Sequence, residues 1–196
     1  MGIIKQGVLG GFRKKTGSVV GAYWRRLDVI RALPRNSGKK PTQAQADHRL
    51  KFGLVTGFLS WISELIDIGF KGLGETITPM NKAVSFHLKE AVAGASPNFI
   101  FDVEALVFSL GKLALPSSMI VEAAAPVSVR FAWSGNDVEG KFNYTTDRAT
   151  FLIYNVSQDR FVHVLNAVER SAHEYVLELP TEFAGSELKC FYCFNS

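Results

Sequence analysis

Val127-Ser128-Val129-Arg130-Phe131-Ala132-Trp133 decides how this sequence folds. In an extended chain Val127, Val129, Phe131 and Trp133 point one way, while Ser128, Arg130 and Ala132 point the other. That alternation marks a strand with one buried face. Similar runs occupy Phe99 to Leu110, Arg148 to Tyr154, Arg160 to Leu165, His173 to Leu179 and Glu187 to Phe194. Ser134-Gly135-Asn136-Asp137 and Ala184-Gly185 supply turns between some of them. About seven short strands over about 100 residues predict an antiparallel, Ig-like β-sandwich spanning residues 97–196.

Upstream the period changes from two to helical. Thr42 and Gln45 have capping-box spacing, and Leu54-Val55, Phe58-Leu59, Ile62 and Leu65-Ile66 then recur as one buried helical face. Gly53 and Gly57 share a face of that helix and leave room for another backbone, at about 1 kcal/mol each in helix propensity. The helix is expected to fade near Gly69 to Gly74. A second helix starts with Thr78 as cap and Pro79 at its first position; its stripe is Met80, Ala83-Val84, His87-Leu88 and Ala91, and Gly94 before Pro97 ends it. Before a polar linker at residues 36–41, two runs, 18–24 and 27–33, read as a hairpin around Arg25-Arg26. Gly7, Gly10, Gly11, Gly17 and Gly21 punctuate the basic arm of residues 1–35, which predicts turns, close backbone approach or a segment that orders only on contact. The fold class expected is α+β: a basic arm and hairpin with two helices in residues 1–96, then the sandwich.

Charge is segregated along the chain. Residues 1–51 carry twelve Lys and Arg against two acids, +10, and the remaining 145 carry ten against sixteen, −6. A cationic segment on an acidic body predicts two kinds of contact, one of them with the acidic body of a neighbouring copy. The apolar fraction of 47% and charged fraction of 20% are those of a globular chain, not a disordered one. Two cysteines make no disulfide framework. No secretory signal opens the chain, and Gln6 stands where myristoylation wants Ser or Thr. Leu54 to Phe70 holds Glu64 and Asp67, which a bilayer span would not tolerate cheaply, so it reads as a core helix. The expected location is the cytoplasm, or a particle assembled there.

Several segments, in order, carry a family resemblance. They are Gly10-Gly11-Phe12, Lys15-Thr16-Gly17-Ser18-Val19-Val20-Gly21, Trp24, Arg31 to Pro34, Thr42-Gln43-Ala44-Gln45, Arg49-Leu50-Lys51-Phe52, Asn81 to Ala91, Ala132-Trp133, Thr146-Asp147 and Tyr154-Asn155. Together they resemble an uncharacterised family of short proteins, a domain of unknown function associated with Bacteroidota genomes. The chain departs from that pattern at Arg13-Lys14, where it has Ser-Gly, and at Arg26, where its turn has Gly. The resemblance implies architecture and no activity. The segment from Pro41 to Phe52 also looks, more distantly, like small phage-related virion proteins.

Catalytic groupings are weak throughout. Cys190 and Cys193 form a C-x-x-C inside an extended run, where residues three apart face opposite sides, so they read as strand residues. Ser37-Gly38-Lys39-Lys40 ends like a phosphate loop, but Leu33 stands at the first glycine position and Lys40 replaces Ser or Thr. His48, His87, His163 and His173 lack metal-ligand spacing, and no nucleophile elbow marks a serine. Asp137, Glu139 and Asp147 read as solvated loop carboxylates, and the glycosylation patterns at Asn143 and Asn155 mean little without a secretory signal.

What stands out is the basic segment. Arg13, Lys14, Lys15, Arg25, Arg26, Arg31, Arg35, Lys39 and Lys40 interleave with Phe12, Tyr23 and Trp24. Cations neutralise phosphates and aromatics stack on bases, so nucleic acid is one partner this pattern suits. An acidic neighbouring subunit is the other. The sequence therefore predicts a non-enzymatic structural or assembly protein, homo-oligomeric or part of a larger, phage- or particle-related assembly. The alternative is a nucleic-acid-binding protein. No cofactor, metal, membrane or small-molecule substrate is expected.

Overall fold

A computed structural model describes residues 2–3, 12–24, 27–35, 38–72, 77–125, 127–135, 140 and 142–196. The chain forms two compact units, residues 1–46 and 47–196.

In the first unit β1 (Gly2–Ile3), β2 (Lys14–Thr16), β3 (Val19–Trp24) and β4 (Leu27–Ala32) make an antiparallel sheet in the order β1-β4-β3-β2. The predicted hairpin is β3–β4, closed by the Trp24–Leu27 pair; residues 25–26 lie outside the described residues. Most of the described residues in the segment read as an arm are thus sheet. A second tight hairpin joins Thr16 to Val19, with Gly17 at φ +59° taking the left-handed position that side chains disfavour. At Gly21 a Cβ would collide with the carbonyl oxygen of Phe12, so only glycine admits that close approach.

The first helix, α1 (Gln43–Ser60), opens with the expected capping box. The Gln45 N–H donates to Thr42 Oγ1 (3.4 Å), and the Thr42 N–H donates to Gln45 Oε1 (3.1 Å). The apolar stripe continues past a break at Trp61-Ile62 into α2 (Ser63–Gly69), bent by 89° from α1. No single helix among the described residues is long and apolar enough to cross a membrane. Helix α3 (Pro79–Glu90) begins where predicted, with Thr78 Oγ1 accepting from the Asn81 N–H (3.3 Å) and Pro79 at the first position.

β5 (Val92–Ala95) and β6 (Asn98–Phe101) form a hairpin. β7 (Ser118–Ala125), β8 (Ser128–Ser134) and β11 (Glu174–Glu178) form one antiparallel sheet, with β8 in the middle; β9 (Arg148–Asn155), β10 (Arg160–Glu169) and β12 (Leu188–Asn195) form another, with β9 in the middle. The sheets face each other across Val129, Phe131 and Trp133 from β8 and Phe151, Ile153 and Phe194 from β9 and β12. This is the expected sandwich. Each such fully buried large apolar side chain contributes about 1.5–3 kcal/mol.

Besides the break that divides the first expected helix into α1 and α2, three features differ from the sequence reading. Phe99 to Leu110 is strand only to Phe101; beyond it Leu106 and Phe108 are buried against the helices, and the Val107 N–H donates to His87 instead of a neighbouring strand. β7 was not anticipated, because Val121-Glu122-Ala123-Ala124-Ala125 is rich in helix formers and only pairing with β8 makes it strand. Finally, the division falls at 46/47 and not at 96/97. Leu59, Ile62, Ile66 and Ala83 share one core with Leu152 of β9 and Cys193 of β12, and Phe58 stacks on Phe101 at 4.0 Å. The helices form a third layer on the outer face of the β9 sheet, which is why every residue from Ala149 to Asn155 is buried.

Candidate functional site

The basic residues are brought together by the register of the first unit. β2 pairs with β3 through Lys15–Val20, and β3 pairs with β4 through Val20–Arg31, so Lys15, Val20 and Arg31 form one cross-strand row. Strand spacing puts the two cations about 10 Å apart. Lys14 lies opposite Gly21 at φ +75°, a turn of the backbone that interrupts the alternation of β2. Arg13, Lys14, Lys15, Arg31, Arg35, Lys39 and Lys40 are all exposed. Tyr23 and Trp24, at the end of β3, are 52% and 46% exposed. The Arg13 guanidinium sits 4.9 Å over the Tyr23 ring, so one face of that ring already carries a cation. Arg25 and Arg26 lie outside the described residues.

Counted at the unit boundary, the charge remains segregated. Residues 1–46 hold ten Lys and Arg against the single acid Asp28, +9; residues 47–196 hold twelve against seventeen, −5. A row of exposed cations running across the sheet, with exposed Trp24 further along the same face of β3 and Tyr23 on the other, can hold carboxylates or phosphates and can stack on planar groups.

Elsewhere, chemistry-bearing side chains serve the fold. His87 is fully buried on α3; its Nδ1 meets the Ala83 carbonyl oxygen at 2.8 Å and its Nε2 accepts from the Val107 N–H at 3.1 Å. Burial pushes its pKa below the ordinary value, the Ala83 bond opposing this, so the ring is held neutral with its proton on Nδ1. Cys193 lies in the helix-facing core and Cys190 packs on the sandwich side, so β12 itself separates the two thiols. Burial pushes Cys190 up and Cys193 up to about 11, which disfavours the thiolate that metals and redox exchange need. His163 lies 3.5 Å from Glu64 on the surface, and His173 sits at φ +59° just ahead of β11, not within it. His48 is exposed on α1.

Asp147 corrects an expectation. It is 1% exposed, not a solvated loop carboxylate, and pairs with Arg170 (Oδ2 to Nη2, 3.3 Å). Asp147 Oδ2 also accepts from the Tyr144 N–H (3.1 Å), Arg170 Nη1 donates to the Ala114 carbonyl (2.9 Å), and Trp133 Nε1 donates to the Arg170 carbonyl (2.8 Å). The guanidinium rests 4.0 Å over Phe194. Nothing in sequence spacing links these residues; only the fold does. Asp137 and Glu139 lie outside the described residues. Asn143 and Asn155, the glycosylation-pattern residues, are buried, and Asn155 Oδ1 accepts from the Ser157 and Gln158 N–H groups.

The sequence also missed a cleft. Residues 106–115 run beside β12 and leave a cavity of about 440 Å³, lined mainly by apolar groups such as Val107, Leu110, Leu113, Phe191 and Tyr192. Among the described residues no group of three or more metal-capable side chains converges anywhere.

Among known proteins, the model of a family described as "Family of unknown function (DUF6266)" matches residues 11–196. No curated protein matches the chain.

Proposed function

We propose that this chain, which belongs to that family of unknown function, is a non-enzymatic assembly protein of a phage-related or other particle. In this reading the basic unit of one copy docks on the acidic unit of a neighbour. The observation that supports it is that the two compact units carry opposite net charge, +9 and −5. The engagement of His87, Asp147, Arg170 and both cysteines in core contacts fits a scaffold better than a catalyst. The proposed place of action is the cytoplasm or a particle built there, without cofactor or membrane.

Sedimentation of the full chain tests the reading. Association at 50 mM salt is expected to weaken by 500 mM, and to weaken equally when Lys14, Lys15 and Arg31 are all changed to Glu. An association state indifferent to salt and to those changes overturns it.

A second reading, nucleic-acid binding, draws on the Lys15–Arg31 row with exposed Trp24 on the same face of β3. If six to ten phosphates are neutralised, affinity falls about 10³–10⁵-fold between 50 and 200 mM salt. Fluorescence anisotropy with labelled DNA and RNA oligonucleotides reads this directly, and an absorbance ratio at 260 and 280 nm shows whether purified protein carries nucleic acid. No salt-dependent binding overturns this second reading.

A further inference from the structure

We infer that His87 is a proton-operated latch: neutral, it holds residues 103–110 against α3, and protonated, it releases that stretch while both sandwich sheets stay folded. The stretch belongs to the connection between β6 and β7, and little else ties it down. Its start is fixed where the Asp102 N–H donates to the Ala91 carbonyl (2.9 Å), and its end where the Leu110 N–H donates to the Gly69 carbonyl (2.9 Å). Between those points, among the described residues, the one backbone group bonded to another element is the Val107 N–H, which donates to His87 Nε2 at 3.1 Å. The other polar ties are the Ser109 hydroxyl on the Cys193 thiol and the surface pair of Glu104 with Lys189 (3.1 Å). Leu106 and Phe108, on either side of Val107, are buried in the core that the helices share with β9 and β12. Residues 106–110 also line the cleft beside β12, so open space adjoins the stretch and it can shift without displacing another element.

The placement of the ring's protons makes it a latch. In the neutral form Nδ1–H donates to the Ala83 carbonyl (2.8 Å) and the Nε2 lone pair receives the Val107 N–H. A second proton can go only to Nε2. Two donors then face each other, the Val107 N–H loses its acceptor, and a charge is left in a fully buried site. Moving the stretch aside relieves all three by admitting water. The sandwich core of Phe131, Phe151 and Phe194 does not include the ring and stays closed. No neighbouring charge offsets the proton. On α3, Lys82 lies in the first turn and Lys89 and Glu90 are exposed. After β6, exposed Asp102 accepts from the Glu104 N–H (3.0 Å) and Glu104 is engaged by Lys189. On α2, Glu64 meets His163 (3.5 Å) and Asp67 is exposed; β5 has no titratable residue. From α1, Phe58 stacks on Phe101 (4.0 Å), the residue stacked on the ring (5.8 Å), and Asp47, His48, Arg49 and Lys51 lie about two turns or more before Phe58. Burial lowers the ring's pKa and the Ala83 bond opposes it. The latch is therefore shut at pH 7 and opens as pH falls below about 6.5, through that lowered value.

Hydrogen exchange read by mass spectrometry on the full chain, from about pH 7.5 to about pH 4.5 and corrected for intrinsic exchange, tests the latch. Peptides covering residues 102–110 should lose protection by about ten-fold or more as pH falls through the ring's titration, while peptides from β8 and β9 keep theirs. NMR of the unaltered protein should give one midpoint, below about 6.5, for the His87 Hε1 shift and the Val107 amide. His87→Gln keeps an acceptor near the Nε2 position and takes up no proton, so it should abolish the pH step in residues 102–110. Loss of protection that spreads equally to β8 and β9 overturns the inference. So does a step that persists in His87→Gln, or a Val107 amide indifferent to the ring's midpoint. Should His87→Gln fail to fold, the NMR comparison on the unaltered chain decides alone.

Discussion

Glycines at 57 and 69 show how one atom carries opposite consequences. At Gly69 an added Cβ would strike the carbonyl oxygen of Phe108, and the Leu110 N–H donates to the Gly69 carbonyl (2.9 Å), so backbone packs on backbone there. Gly69→Ala is expected to lower the unfolding free energy by about 1–3 kcal/mol, the usual penalty of overpacking, as read from urea denaturation. Gly57→Ala, into open space, should raise it by up to about 1 kcal/mol. His87 makes a second residue-scale test. Its folded pKa is lowered, so the unfolded chain binds the proton more readily. The stability it contributes is whole above about pH 6.5 and drains away as pH falls from there through the lowered folded value. The urea midpoint should fall between pH 7 and pH 5, and His87→Gln should flatten that part of the profile. An unchanged profile in the variant would show that other groups set the acid response.

β12 illustrates what an element decides. Its alternation sends Cys193 to the helix layer and Cys190 to the sandwich, so oxidation of the native protein should yield no bond between them. A thiol-reactive dye should label Cys193, 8% exposed, only after urea unfolds the chain. Electrophoresis without reductant and peptide mapping check both outcomes. The opposite strand was legible from the first: the alternation of Val129, Phe131 and Trp133 is the core face of β8. The Asp147–Arg170 pair beneath Trp133 was not legible. Its members lie in separate segments, and a lone loop aspartate carries no local mark of burial. Asp147→Ala leaves the Arg170 guanidinium buried without its counter-charge, and should cost about 3–5 kcal/mol in the urea midpoint analysis.

For the whole molecule, the boundary at 46/47 makes a direct prediction. Residues 47–196 expressed alone should unfold in one cooperative transition by calorimetry, whereas residues 97–196 should aggregate. The shorter piece would expose Leu152, Phe161, Phe191 and Cys193, the face that α1, α2 and α3 cover. A soluble, cooperatively folding 97–196 fragment would show the helices to be dispensable.

The sequence alone determined the helix caps at Thr42 and Thr78, the buried helical stripes, the β3–β4 hairpin, the sandwich strands other than β7 and the segregation of charge. Each depends on neighbours a few residues apart, and their spacing carries it. Only the tertiary structure decided that β7 is a strand, that helices cover the second face of β9, that Asp147 is ion-paired and that Gly53 and Gly57 lie open. Those outcomes depend on which distant segments meet, and burial by a distant segment leaves no periodic trace in the residues it covers.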